Sequence, residues 1–242
     1  MEDVLSLYAE PYDPERPVIC FDEHPYQFLC FGYRVALCFG YRVALCFGYR
    51  VAQELLDVWE PMPMEPGKPR RVDNEYKRNR TCNVFIPAFA GTGWCRVIVR
   101  DTRKRSDFSE CIKTLVDEWF PQAKQIRIVL DQLNTHTLGS FYEGYEASEA
   151  KRLTDKLEFH YTPAYGSWLS MSEIELSVLS RQHLKQRISV PAYAGKGELQ
   201  RISSVWASKR SCQRDTIDWR FSVNKAREKF SKFYHTKSNV SE

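Results

Sequence analysis

The sequence predicts an α/β domain in which helices pack on a mixed sheet. Two apolar runs that each end in an aspartate, PVICFD at 17–22 and IRIVLD at 126–131, are typical of short buried strands. LEFHY at 157–161 predicts a further strand, and apolar residues recur at helical spacing over 106–120 and 170–184. Strands that alternate with helices in this way are typical of layered α/β domains.

A hairpin is predicted between the two aspartate-ending strands. NVFIPAFA at 83–90 and WCRVIVR at 94–100 flank a Gly-Thr-Gly turn at 91–93, which favours antiparallel pairing. The helix that follows is expected to begin with a cap at Ser106 and to stop at Pro121. Further helices are predicted near 146–156, 197–211 and 223–234.

A tandem repeat occupies residues 30–52. CFGYRVAL stands at 30–37 and again at 38–45, and CFGYRVA follows at 46–52. Apolar residues alternate along all three copies, and because the eight-residue unit is even they stay on one face, which predicts strands or a hairpin. The identity of the copies indicates a recent duplication rather than a solenoid. We expect the repeat to be a dispensable extended insertion outside the core of the domain.

Length, composition and charge bound the class of protein. A chain of 242 residues with 43% hydrophobic and 27% charged residues is typical of a soluble globular protein with one large or two small domains. The acidic N-terminus lacks the pattern of a secretory signal, and no apolar stretch is long enough to cross a bilayer, so we expect a cytoplasmic protein. Residues 181–242 hold 14 Lys or Arg against 5 Asp or Glu. This excess favours a polyanionic partner, although a charged run is more often a solvated face.

The cysteines predict neither a zinc site nor a disulfide framework. Three of the eight are copies within the repeat, and the other five are scattered without a C-x-x-C pair or a nearby histidine at zinc-ligand spacing. We expect these five to be reduced thiols: Cys20, Cys82, Cys95, Cys111 and Cys212.

Asp22 and Asp131 each end a strand of the buried type. Sites in open α/β sheets lie at the carboxyl ends of strands, so the two carboxylates converge if their strands are parallel neighbours. A carboxylate pair repels itself and calls for cations, and hard oxygen ligands select Mg²⁺ or Mn²⁺. Two such ions would form the clamp used in phosphoryl transfer. An apolar strand that ends in aspartate is a weak signal by itself, since caps and turns at strand ends produce this pattern more often than metal sites do.

Other polar residues have two interpretations each. Glu173 could join the acids, or it could close a capping box with Ser170 as N-cap. Glu175 lies on a different face of the same helix and is expected to be exposed or ion-paired. His136, five residues past the second aspartate, either reaches the site or stabilises a turn. His160 lies inside a strand, which favours a structural role.

The longer blocks around these residues resemble bacterial insertion-sequence transposases. The similarity is to the mariner-related group, the insertion-sequence "six-thirty" family, and it covers nearly the whole chain except the repeat. It rests on CFDE at 20–23, EYKRN at 75–79, VLDQLNTHT at 129–137, FHYTP at 159–163, GSWLSMSEIELSVLSRQ at 166–182 and TIDWRF at 216–221.

The resemblance implies a ribonuclease-H-like fold, a mixed sheet flanked by helices, that carries a DDE triad. Motif by motif, the three acids correspond to Asp22, Asp131 and Glu173, which would bind Mg²⁺ or Mn²⁺ as two ions. The activity implied is metal-dependent cleavage and strand transfer of double-stranded DNA. An inactive remnant that only binds DNA, or a nuclease of the same fold, remains an alternative. Residues expected to support the triad are Glu23, Asn134 and His136.

The resemblance also suggests how the chain is divided. Residues 1–190 would form the catalytic domain, and 191–242 a helical basic C-terminal extension. Candidate DNA contacts in the extension are Lys209, Arg210 and Arg214. The helix-turn-helix part of the family has no counterpart here, so a separately encoded part is an expected partner, as is a second copy in a homodimer in the bacterial nucleoid. Three positions depart from the family pattern: Arg80, Gln132 and Ser170.

Overall fold

The computed structural model describes residues 1–31, 49–51, 76–89, 91–184, 195–214 and 216–234. Their strands form one mixed sheet with helices on both faces, which confirms the predicted α/β class. The strands are β1 (Val18–Phe31), β2 (Tyr49–Val51), β3 (Tyr76–Phe89), β4 (Trp94–Cys95), β5 (Ile98–Arg100), β6 (Ile126–Leu130) and β7 (Leu157–Tyr161).

The helices confirm most of the predicted helical segments. They are α1 (Glu2–Ala9), α2 (Arg105–Thr114), α3 (Gly139–Gly144), α4 (Ala147–Asp155), α5 (Met171–Leu179), α6 (Gly195–Gln213), α7 (Val223–Lys229) and α8 (Ser231–Tyr234). A π-helical turn extends α2 to Trp119, and another extends α5 to Leu184. Helices α1 and α3 were not predicted, although Val4, Leu5 and Leu7 of α1 are buried at a spacing that could have indicated it.

The sheet has the strand order β4-β3-β1-β6-β7, with β2 beside β1 and β5 beside β3. β1 and β7 both run parallel to β6, whereas β3 is antiparallel to β1, β4 and β5. The predicted hairpin is therefore present, and Gly93 takes the positive φ of 71° that its turn requires. The parallel half of the sheet is the part that carries the candidate acids.

Asp22 does not end its strand, and that prediction was wrong. β1 continues to Phe31 because it pairs with β3 from Cys20, opposite Ala88, onward. Its parallel pairing with β6 does stop early, and Cys20 opposite Val129 is the last paired position. Asp22 thus lies in the part of β1 that is still paired with β3 but no longer paired with β6.

Side chains alternate between two apolar layers, one on each face of the sheet. Phe21, Phe85 and Ile128 face a core built with α2, α3 and α4. Val84 and Ile86 face the opposite core, to which α5 and α6 contribute. α1 covers the same side near the start of β1, where Val4 packs with residues of β1 and β6.

The expected cap at Ser106 is also wrong. The N-cap of α2 is Lys104, two residues before Ser106, and the backbone N–H of Lys104 donates to the Asp107 carboxylate at 2.9 Å. Because Asp107 bonds to the backbone ahead of the helix, the start is set by an acid within the first turn instead of the serine.

Most of the repeat and the predicted domain boundary lie outside the described residues. Residues 32–48 and 52 of the repeat are not described, whereas Cys30 near its start pairs with Tyr49 near its end across β1 and β2. The boundary between residues 190 and 191 falls in the undescribed range 185–194. The dispensability of the repeat stays a prediction.

Two further expectations can be compared with the described residues. The five cysteines outside the repeat are free, and Cys212 is exposed while the other four are buried. Their reduced state stays a prediction. Among the described helices, none is both long enough and apolar enough to cross a membrane.

Phe141→Ala should destabilise the fold strongly. Phe141 is fully buried in α3 and packs on Phe108 with ring centroids 6.0 Å apart. Deletion of a buried phenylalanine ring costs about 3–5 kcal/mol. Tyr142→Ala, at the next position but half-exposed, should change stability by less than about 0.5 kcal/mol. Urea unfolding followed by circular dichroism measures both, and equal midpoints for the two variants would contradict the packing described here.

Candidate active site

Asp22 is a buried carboxyl on the face of the sheet that α5 covers. It is 8% exposed, and its Oδ1 accepts the backbone N–H of Glu23 at 2.8 Å. Burial raises the pKa of Asp22 to about 7, and the negative charge of Glu173 is the next largest cause. Glu23 and Asp131 raise it further, and the Glu23 N–H opposes them. The charged form of Asp22 is therefore costly while the neighbouring acids are also charged.

Asp131 follows β6 at the position level with Asp22. The last paired position is Cys20 with Val129, and the same offset carried two residues further brings Asp22 level with Asp131 just past the end of the pairing. The side chain of Asp131 is 40% exposed. Its Oδ1 accepts the backbone N–H of Leu133 at 3.1 Å. Asp131 is thus the more open of the two aspartates.

Glu173 lies in the first turn of α5, which starts over β1 and β6. The first residue of the helix, Met171, packs in one apolar cluster with Cys20 and Val129, so this turn stands above the strands that carry the aspartates. The capping box that was the alternative for Glu173 does not form. The Glu173 N–H bonds to the Ser170 carbonyl at 3.2 Å, and the Ser170 hydroxyl has no hydrogen-bond partner in the part of the chain that the structure describes.

His136 connects Asp131 to Glu23. Its Nδ1 lies 2.7 Å from Asp131 Oδ1, in hydrogen-bond geometry. Its Nε2 lies 3.1 Å from Glu23 Oε2, which is ion-pair distance although the angle is not that of a hydrogen bond. The ring is buried and packs against Phe108 with centroids 4.8 Å apart, and Tyr161 donates its hydroxyl to the His136 carbonyl at 2.7 Å.

The charges of Asp131, His136 and Glu23 balance one another differently from those around Asp22. Burial lowers the pKa of His136, but the hydrogen bond to Asp131 and the close negative charges of Asp131 and Glu23 outweigh it and raise the value to about 9. The hydrogen bond from His136 in turn lowers the pKa of Asp131. His136 therefore carries a positive charge at neutral pH and compensates Asp131, whereas Asp22 keeps a repulsive neighbour in Glu173.

The donor chemistry of the three acids fits a hard divalent cation. Asp22, Asp131 and Glu173 offer only oxygen ligands, and the pKa of Asp22 is raised first by burial and then by the charge of Glu173, both of which a bound cation would offset. Their side chains are not preassembled around one point, because within the described residues no group of three or more His, Cys, Asp or Glu is arranged to hold a metal. One carboxylate oxygen of Asp131, Oδ1, is already hydrogen-bonded to His136.

The other residues singled out from the sequence lie in different surroundings. Asn134 is exposed in the turn after β6, and His160 bonds to Asp3 of α1 with Nδ1 at 2.9 Å. Sequence reasoning missed Arg103, whose charge helps to lower the pKa of Asp131. The run RKR at 103–105 was the available signal.

The basic residues of α6 do not share one environment. Arg210 donates to both carboxylate oxygens of Glu175, and both side chains are largely buried between α5 and α6. Glu175 is therefore ion-paired, one of its two expected states. Lys209 and Arg214 are exposed.

Comparison with known proteins identifies one family. The model of the family described as DDE superfamily endonuclease matches residues 50–191, which include Asp131 and Glu173, while Asp22 precedes the matched range. Searches of curated proteins and of solved structures give no match.

Asp22→Asn should stabilise the metal-free protein at alkaline pH. The pKa of Asp22 is about 7 in the folded chain, against an ordinary value of 3.8 for an aspartate. Ionisation of Asp22 therefore weakens the fold progressively from pH 3.8 to about 7, and the full penalty is present above that range. At about 1.4 kcal/mol per pKa unit, the variant should gain on the order of 2–4 kcal/mol.

Thermal melting in a chelating buffer from pH 4 to pH 9 measures this effect. The gain of the variant over the wild type should be absent near pH 4 and constant above pH 7. Asp155→Asn, at an exposed position of α4, is the control and should show no such pH dependence. A stability gain of the variant that becomes smaller as the pH rises would show that ionisation of Asp22 does not destabilise the fold.

Proposed function

This chain belongs to the DDE superfamily endonuclease family, and we propose that it is the catalytic part of a DNA transposase of the mariner-related insertion-sequence "six-thirty" family. In this proposal Asp22, Asp131 and Glu173 are the triad. The observation that supports it best is that Asp22 and Asp131 each lie two residues past the last paired position of two parallel strands, with Glu173 close enough to raise the pKa of Asp22.

The three acids would hold Mg²⁺ or Mn²⁺, two ions in the complete site. Bound divalent ions supply Lewis acidity for in-line phosphoryl transfer, at both the attacking and the leaving oxygen. The chain itself contributes the negative charge that attracts them. Asp22 would give up its proton to the solvent on binding, because its pKa of about 7 leaves it partly protonated at neutral pH.

His136 and Glu23 act in this proposal as positioning residues. The bond from His136 Nδ1 fixes the orientation of the Asp131 carboxylate and keeps it ionised. Glu23, beside the other ring nitrogen, favours the doubly protonated ring that can bond in this way. Groups behind ligating side chains commonly orient them like this.

The reaction we propose has two steps on double-stranded DNA. Hydrolysis at an element end breaks the bond between phosphorus and the 3′ oxygen and leaves a 3′-hydroxyl and a 5′-phosphate. The freed 3′-hydroxyl then attacks a phosphodiester of the target DNA, whose own 3′ oxygen leaves. Both steps need the attacking group to be held in line with the leaving oxygen, which is a matter of positioning and charge.

The proposed partners follow from the resemblance and from charge. Residues 191–242 would form a basic extension that contacts DNA phosphates, with Lys209 and Arg214 exposed for that purpose. A second copy of the chain and a separately encoded helix-turn-helix part would complete the assembly that reads the element ends.

Asp131→Asn should abolish cleavage and leave DNA binding intact. The amide keeps the shape of the side chain but loses the charge that attracts the cation, so nicking should fall by more than about 100-fold. Nicking of supercoiled plasmid with Mg²⁺ or Mn²⁺, against a chelator control, measures cleavage, and a gel shift measures binding.

The control for this variant is Asp155→Asn, which should nick like the wild type. Undiminished nicking by Asp131→Asn would remove Asp131 from the mechanism. Nicking by the wild type without joining of a 3′-hydroxyl oligonucleotide to the plasmid would favour a nuclease over a transposase.

Lys209→Ala and Arg210→Ala should have different effects although the residues are adjacent. Loss of the exposed Lys209 should weaken binding to any duplex and reduce the slope of log affinity against log salt by about 1. Loss of Arg210 leaves Glu175 buried without its cation and should cost about 3–5 kcal/mol of stability. Fluorescence anisotropy at several salt concentrations and thermal melting distinguish them. A stable Arg210→Ala protein with weakened DNA binding would show that Arg210 is a DNA contact.

A further inference from the structure

The connection between β7 and α5, residues 162–170, joins the surroundings of two of the candidate acids. We refer to it as the site loop. At its start, the Thr162 N–H donates to the Leu130 carbonyl at 2.9 Å, and Gln132 donates its side-chain amide to the Thr162 carbonyl at 3.1 Å. Leu130 and Gln132 flank Asp131. At its end, the loop provides the N-cap residue of α5, three positions before Glu173.

Tyr165 is held in an unfavourable conformation at the middle of the site loop. Its φ is 60°, a left-handed value that a bulky side chain rarely adopts, and its ring is fully exposed. The turn around it is tight, since the Gly166 N–H bonds to the Pro163 carbonyl at 2.8 Å. A Cβ at Gly166 would stand 2.8 Å from that same carbonyl oxygen, so the turn requires glycine. The loop thus projects an aromatic ring into solvent at a conformational cost, a feature common at functional sites.

Trp168 adds a second exposed ring with a fixed support. It is 46% exposed, and it forms a T-shaped pair with Phe221 in which the ring centroids are 5.5 Å apart. The next residue, Leu169, is fully buried, and its N–H bonds to the Gly166 carbonyl at 2.9 Å. The backbone beneath Trp168 is therefore anchored.

Positive charge lies near the phenylalanine that supports Trp168. Lys229 of α7 stands 5.9 Å over the Phe221 ring that supports Trp168. Lys225, one turn earlier in α7, donates to the Arg220 carbonyl at 2.9 Å. Both lysines are exposed. Exposed rings next to lysines have the chemistry of single-stranded nucleic acid recognition, in which bases stack on aromatics and phosphates contact cations.

We propose that Tyr165 and Trp168 form a stacking platform for unpaired DNA bases next to the cleavage site, with Lys225 and Lys229 contacting the phosphates. The proposal rests on the proposed function, because it takes the bound strand to pass over the loop between Asp131 and Glu173. The platform favours DNA whose bases are already unpaired, since stacking then needs no prior loss of pairing. It thereby directs the acids to distorted or opened duplex.

The test compares two DNA probes of one length in a chelating buffer. One is a fully paired duplex, and the other has a central three-nucleotide mismatch bubble that carries 2-aminopurine. The wild type should bind the bubble more tightly, with quenching of the 2-aminopurine by stacking. Tyr165→Ala and Trp168→Ala should each weaken bubble binding by about 5- to 150-fold and abolish part of the quenching, with paired-duplex affinity changed less than about twofold.

Matched variants separate stacking from folding. Tyr165→Phe and Trp168→Phe keep an aromatic face and should retain the preference for the bubble, and Tyr142→Ala, an exposed tyrosine of α3, should behave as the wild type. Thermal melting checks that each variant is folded. If folded alanine variants keep both the preference and the quenching, or lose affinity for both probes equally, the platform does not exist.

The outcome also separates this inference from the proposed function. A bubble preference that depends on the rings, in a protein that never nicks plasmid, would overturn the catalytic proposal alone. Nicking together with a preference that ignores the rings would overturn the platform alone. A wild type that binds neither probe would overturn both.

Discussion

The parallel pairing of β1 with β6 is the constraint on which the candidate site depends. Its register sets Cys20 beside Val129, and through the same offset it sets Asp22 beside Asp131. A slip of one residue would turn one aspartate to the opposite face of the sheet, because successive side chains of a strand alternate. Only three positions pair with β6, but β1 is also bonded to β3 along most of its length. The antiparallel pairing of β1 with β3 therefore fixes the position of β1, and with it the register of β1 against β6.

The two aspartates of the site differ in their electrostatic surroundings: Asp131 has a positively charged neighbour, whereas Asp22 has a negatively charged one. His136 gives Asp131 a positive neighbour and lowers its pKa, whereas burial and the charge of Glu173 raise the pKa of Asp22. A fold selected for stability alone would not bury a carboxyl beside two others. The arrangement is understandable if a cation completes it, because the repulsion then becomes attraction to a shared charge.

Local features of the sequence predicted the elements that carry the site, but not the contacts between them. β6, β7 and α5 follow from periodicity, and the position of Asp131 just after β6 follows with them. The strand of Asp22 continues because it pairs with β3, whose residues lie 45 to 68 positions further along the chain, which no local pattern shows. The same holds at His136: its bond to Asp131 spans five residues and could be anticipated, while its approach to Glu23 depends on how the turn folds back over β1.

The two faces of α5 explain why the basic C-terminal part is tied to the site. Glu173, in the first turn, is close enough to Asp22 to raise its pKa, and Glu175, two residues on, faces Arg210 of α6. Leu176 of α5 and Leu199 of α6 share one buried cluster with β3. α6 thus covers apolar surface that the sheet would otherwise expose, and its ion pair fixes the rotation of the helix that carries the third acid. DNA bound on the exposed side of α6 would lie on an element whose buried side positions Glu173. If the proposed function holds, substrate binding and the placement of Glu173 would therefore be connected through the packing of α5 on α6.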